Sequence, residues 1–134
     1  MSSGYVFDSH ALMAFFQNED GAEAVDQILR QASKEGADRL VCVINLGEML
    51  YLTKRRFGDS QKVHLLSKIG HLGIQTLPVS DSLVFQAAEY KADYPISYAD
   101  CFALACAVNH SVPLVTGDPE FHKVSQLADI QWIR

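Results

Sequence analysis

The segment ADCFALACAV, residues 99–108, is apolar at every position except Asp100. A helix that is apolar all round has no face to offer water, so it must be buried against another layer of structure. A lone carboxylate in such a helix needs neutralisation by its neighbours, a metal ion or a helix end. Ser97, three residues earlier, has the spacing of a capping box with Asp100 and puts that carboxylate in the first helical turn.

The rest of the chain supplies the layer that such a helix requires. Strand-like runs occur at 5–7 (YVF), 40–44 (LVCVI), 74–79 (IQTLPV), 113–118 (PLVTGD) and 130–133 (IQWI), with Pro78 confining the third to an edge or an end. Helical patterns stand between them. The first places Ala11, Leu12, Phe15 and Phe16 after Asp8 and Ser9 and is broken by NEDG at 18–21; the second spaces Val25, Ile28, Leu29 and Ala32 up to Gly36. Asn45 is expected to cap a third helix ending in KRRFG at 54–58, and further helices are expected from Ser60 to about Ile69, after Ser80, after Ser97 and, briefly, from Pro119. Apolar strands joined through helices need right-handed crossovers, which predicts an α/β fold: a three-layer α/β/α sandwich around a central, mostly parallel five-stranded sheet. In such sheets ligands gather beyond the carboxyl ends of the strands, where the helices start.

Four acidic residues meet that condition: Asp8 after the first strand, Glu48 in the first turn after the second, Asp100 in the apolar helix and Asp118 after the fourth strand. Each also suits a capping role. Asp8 can cap the first helix, Asn45-x-x-Glu48 and Ser97-x-x-Asp100 fit capping boxes, and Asp118 precedes a proline at the first helical position. Capping, however, does not require four carboxylates to share one edge, where like charges raise one another's pKa and oppose folding. A cluster of hard oxygen donors is what Mg²⁺ or Mn²⁺ selects, and Thr116 can add a hydroxyl or orient a water.

Bulk properties bound the alternatives. At 134 residues, with 49% hydrophobic and 20% charged content, the chain is expected to form one domain, 1–134, with a real core. No charged segment leads into an apolar leader and no apolar run approaches the ~20 residues a bilayer demands, so a cytoplasmic protein without membrane contact is expected. Cys42, Cys101 and Cys106 lie in apolar stretches without paired spacing and read as buried thiols. The five histidines form no two-ligand motif. A net charge of −5 argues against a nucleic-acid partner, but setting the four acids aside leaves 12 acidic against 11 basic residues, a nearly neutral remainder.

VFDSHALMAFF, INLGEMLY, YPISYADCFALACA and PLVTGDPEF together resemble the PIN-domain ribonucleases, most closely the VapC-type toxins of type II toxin–antitoxin pairs. The resemblance spans nearly the whole chain. It implies that Asp8, Asp100 and Asp118 are metal-binding acids, that Glu48 is a further acid of the site, and that Thr116 is the hydroxyl of the T-x-D turn. It further implies Mg²⁺- or Mn²⁺-assisted hydrolysis of RNA to 5′-phosphate and 3′-hydroxyl ends, a VapB-type antitoxin partner and a homodimer. His10 departs from the pattern, since many relatives have serine there.

Lys54, Arg55 and Arg56 suit the macrodipole in the last turn of their helix and are also candidates for phosphate contact, as is Lys91 before the YPISYAD turn. Leu12, Phe15, Phe16, Leu50 and Tyr51 lie near the acidic edge, where related toxins dock an antitoxin segment, although ordinary core packing is the better account of most of them. Competing readings fit less well. A phosphoacceptor receiver needs adjacent acids after the first strand, and a haloacid-type phosphatase needs Asp-x-Asp, where this chain has His10. A binding module without turnover on the same fold is the remaining alternative.

Overall fold

A computed structural model describes residues 3–134. Strand β1 (Gly4–Phe7) is followed by α1 (Ser9–Phe16), α2 (Ala22–Glu35), β2 (Asp38–Cys42), α3 (Val43–Phe57), α4 (Asp59–His71) and β3 (Gln75–Leu77). The second half runs α5 (Asp81–Asp93), α6 (Tyr98–His110), β4 (Leu114–Thr116), a 3₁₀ turn (Pro119–Val124) and β5 (Ile130–Trp132). All four strand pairings are parallel, in the order β3-β2-β1-β4-β5. The three-layer α/β/α architecture is therefore the one expected, and the sheet is parallel throughout.

Strand alternation sorts the side chains into two layers, because successive residues point to opposite faces. Val6, Leu40, Cys42 and Leu114 pack against α5 and α6, whereas Phe7, Val41 and Val115 pack against α1 to α4. Helix α6 is the most deeply placed element: every residue from Asp100 to Ala107 is buried, so its all-round apolar sequence meets the sheet on one side and α5 on the other.

The principal correction concerns the second strand. It ends at Cys42, two residues earlier than the run LVCVI suggests, and Val43 and Ile44 open α3 instead. These β-branched residues extend the strand-like pattern past the point where the chain leaves the sheet, and both are exposed. Asn45 accordingly is not a cap. It is buried inside the first turn, and its amide nitrogen donates to the Ala99 carbonyl at 3.2 Å, while its carbonyl oxygen has no hydrogen-bond partner among the described residues. Glu48 moves with it into the second turn, and the Asn45–Glu48 capping box does not form. Helix α4 begins at Asp59 and reaches His71, and β3 is an edge strand ending just before Pro78, whose ring would interrupt the ladder. Among the described residues no helix is long and apolar enough to cross a membrane.

Candidate active site

The strand order reverses direction at β1, whose neighbours β2 and β4 lie on its two sides. Such a switch point opens a crevice at the carboxyl ends of the two central strands. Asp8 follows β1 and Asp118 follows β4, so the topology alone sets these two carboxylates on the crevice.

Asp8 is the N-cap of α1. One carboxylate oxygen accepts from the Ala11 amide at 2.8 Å, and the other accepts from the Thr116 hydroxyl. The Thr116 hydroxyl oxygen in turn accepts from the Asp118 amide at 3.0 Å. Thr116 is thus a buried bridge between the ends of β1 and β4, which explains the spacing of the T-G-D turn. Gly117 within it is required by close approach: an added Cβ would stand 2.8 Å from His10 Cε1 and 2.9 Å from Ile133. Asp118 caps the 3₁₀ turn by accepting from the Glu120 amide at 3.0 Å.

Asp100 arrives from α6. Ser97 caps that helix by accepting from the Asp100 amide at 3.1 Å, so the capping contribution of Asp100 is made by its backbone. The tight turn before it is tied down by Lys91, whose ammonium donates to the Ile96 carbonyl at 2.8 Å. Lys91 is therefore engaged in holding the turn, not presented toward a phosphate as its sequence position suggested. Glu48 accepts from the Ser9 hydroxyl.

Burial and mutual repulsion mark the electrostatics. Asp8 is 1% exposed, and burial pushes its pKa up to about 7; the Asp100 and Asp118 charges add to the rise, while the Thr116 and Ala11 hydrogen bonds oppose it. Burial likewise pushes Asp100 up to about 6, with Asp118, Glu48 and Glu120 raising it and the Ser97 hydroxyl lowering it. The carboxylates thus sense one another's charge, although they come from distant parts of the chain. A cleft of about 770 Å³ opens on this edge and is lined by Glu48, Asp100, Asp118 and Glu120. Buried Asp8 does not reach its surface.

The donor set is all hard oxygen, which suits Mg²⁺ or Mn²⁺, and a cation would offset the burial cost and the weaker repulsion that raise the pKa values. Among the described residues, however, no three acids stand close enough together to grip one ion as they are placed. Each Asp8 oxygen accepts one protein hydrogen bond, which leaves a second lone pair on each for a cation.

Sequence reasoning overlooked several participants. Ser9 fixes Glu48, Asn45 ties α3 to the start of α6, and Glu120 adds a carboxylate two residues beyond Asp118. Only Glu120 carried a signal, its position beside the T-G-D turn. His10 pairs its Nε2 with Arg134 at 3.0 Å, its Nδ1 has no partner among the described residues, and its pKa is lowered, chiefly by burial and then by the Arg134 charge. Leu12 is core, and Phe15, Phe16 and Leu50 pack partly buried against the α1–α4 side, whereas Tyr51 is exposed. Cys42, Cys101 and Cys106 are free and buried.

The pattern that defines the PIN domain matches residues 5–127. The chain belongs to the PIN-domain family. This PIN domain is similar to the DNA-bound VapBC structure of Salmonella typhimurium at a TM-score of 0.75, with 11% identity over 100% of both chains. It is similar also to VapBC2 of Rickettsia felis bound to a promoter DNA fragment (TM-score 0.74, 16% identity, 95% of this chain and 96% of that one). VapC20 of Mycobacterium tuberculosis, described as a sarcin-ricin-loop-cleaving toxin, matches at 0.70 with 16% identity over 90% and 95% of the two chains. No curated protein matches the sequence. The PIN domain thus has the fold of the VapBC toxin structures, and the receiver and haloacid readings fall away.

Proposed function

We propose that this PIN domain is a metal-dependent endoribonuclease and the toxin of a type II toxin–antitoxin pair. The observation that carries the reading is the gathering of Asp8, Asp100, Asp118 and Glu48 at the β1/β4 switch point, with Asp8 and Asp100 both pushed toward neutral pKa by burial and by their neighbours' charges. Isolated caps give no reason for that convergence.

Asp8, Asp100 and Asp118 would hold Mg²⁺ or Mn²⁺, which when bound lowers the pKa of water and offsets charge on a phosphodiester. Thr116 keeps Asp8 and the Asp118 backbone in fixed relation through its paired hydrogen bonds. Glu48, positioned by Ser9, faces the same cleft and is suited to accept a proton from an attacking water or to orient it. In-line attack on phosphorus with departure of the 3′-oxygen leaves a 5′-phosphate and a 3′-hydroxyl. The structural likeness to VapBC structures supports the fold, and their two-component composition supports a VapB-type antitoxin as partner. A homodimer and a cytoplasmic location belong to the same reading.

Incubation of total RNA with the protein and Mg²⁺ or Mn²⁺, with Asp8→Asn as control, tests it. Cleavage by the wild type alone is the expected result. Intact RNA under every condition, with folded and antitoxin-free protein, would refute the proposal.

A further inference from the structure

The cleft on the acidic edge is not lined by acids alone. Arg55 and Arg56 of α3 line it together with Glu48, Asp100 and Asp118, yet among the described residues neither guanidinium forms an ion pair with a carboxylate. Each is held by a neutral partner instead. Arg56 donates to Gln17 Oε1 at 3.0 Å and lies over Phe57, 5.2 Å from the ring centroid. Arg55 lies over Tyr51, 4.9 Å from its centroid. Partners of this kind orient a guanidinium and leave its charge available. Lys54, in the same helical turn, behaves differently: it pairs with Asp59 at 3.3 Å and does not line the cleft. The basic run KRR, uniform in sequence, is therefore divided by the fold into one neutralised cation and two free ones that face the acids.

We propose that Arg55 and Arg56 form a phosphate subsite that holds the RNA backbone beside the scissile bond, a reading that rests on the nuclease function above. The planar guanidinium matches a phosphate through paired N–H donors, which an ammonium does not. A cleft with cation-binding acids and two free guanidiniums favours a ligand that repeats one anion along its length. A polynucleotide backbone does so, one phosphodiester lying at the acids and a flanking one at the arginines. Exposed Leu52 lines the same cleft and adds an apolar surface against which bases can pack without a sequence code. The pair also supplies local positive charge on a chain of net charge −5.

The test uses a fluorescein-labelled, mixed-sequence single-stranded RNA 12-mer. Its binding to the full chain in the Asp8→Asn background is followed by anisotropy across a salt series. Arg55→Ala with Arg56→Ala should weaken binding about tenfold or more, and should make the log–log salt dependence shallower by about 1.4, at ~0.7 for each phosphate of a single strand that is no longer neutralised. Replacing both by lysine should retain the salt slope with weaker binding, and Lys54→Ala should change neither. In wild-type Asp8 protein the double alanine change should raise KM with little effect on kcat. Unchanged affinity and slope in the double variant would overturn the proposal. So would arginine-dependent binding of poly-glutamate with RNA affinity unaltered, which would assign the pair to an acidic peptide. RNA cleavage with the same KM in both proteins overturns the subsite alone. Arginine-dependent RNA binding without any cleavage by the wild type supports the subsite and counts against the nuclease reading.

Discussion

Asp8→Asn offers the sharpest test of the site, because the carboxylate is buried and its pKa is displaced far from that of a free aspartate. A rise from 3.8 to about 7 means that the native state keeps the proton over a range in which the unfolded chain has released it. The contribution of Asp8 to the stability of the metal-free protein is therefore fully present below pH ~4, is lost as pH rises through the interval, and levels off above about 7. At about 1.36 kcal/mol for each pH unit of displacement the full loss is ~4 kcal/mol, and relaxation around the charge reduces this to roughly 2–4 kcal/mol. Asparagine cannot ionise. Its Oδ1 retains the bond from the Ala11 amide, so the cap is preserved, while its Nδ2 donates to Thr116 Oγ1 and the displaced hydroxyl proton adds a cost that is the same at every pH. Urea denaturation in EDTA at pH 4.5 and pH 8 reads the difference by linear extrapolation. At pH 4.5 the unfolded carboxylate is already mostly ionised and about 1 kcal/mol of the loss has occurred, so the stability of the variant relative to the wild type should rise by a further ~1.5–3 kcal/mol between pH 4.5 and pH 8. Saturating Mg²⁺ should restore the wild type at pH 8 and leave the variant unchanged. A stability difference that is the same at both pH values would refute the argument, since it would mean that Asp8 ionises in the native state as readily as in the unfolded chain.

Asp100→Asn should leave the Ser97 cap intact, because that bond uses the Asp100 amide, and should make the metal-free protein at least as stable as the wild type at pH 8. Thermal melts should show Mg²⁺ stabilising the wild type, by about 2.7 kcal/mol at a hundredfold excess over Kd, and not the variant. Thr116→Val removes a buried hydroxyl that serves both Asp8 and the Asp118 amide, and should cost about 2–4 kcal/mol in urea denaturation, more at pH 8 than at pH 4.5; Thr116→Ser should recover most of it.

Particular segments show how far a linear reading reaches. The five strands and the six longer helices were legible because a parallel sheet covered on both faces leaves apolar runs alternating with amphipathic ones, and α6 was legible because it has no polar face at all. The end of β2 was not. Val43 and Ile44 carry the same local signal as the strand before them, and only the departure of the chain from the sheet makes them helical. The roles of individual site residues divide similarly. Asp8, Asp118 and Ser97 announce their capping functions through nearest neighbours, and the structure has those hydrogen bonds. The Ser9–Glu48 bond, spanning 39 residues, and the Asn45–Ala99 bond, spanning 54, leave no trace in local spacing.

The sequence by itself determined the class of fold, the order of its elements and the residues that end its strands with carboxylates, since these follow from periodicity and from chain-local hydrogen bonding. Tertiary structure decided which of those charges meet. Asp8 and Asp100 lie 92 positions apart, and the charge of Asp100 raises the pKa of Asp8 only because the sheet order sets β1 against β4 while α6 delivers Asp100 to the same edge. It likewise separated Lys54 from Arg55 and Arg56, three adjacent cations of one helical turn, by the direction each takes from the helix and by the partner it meets there. Coulomb interactions and burial depend on distance through space, and distance through space is what a one-dimensional pattern does not contain.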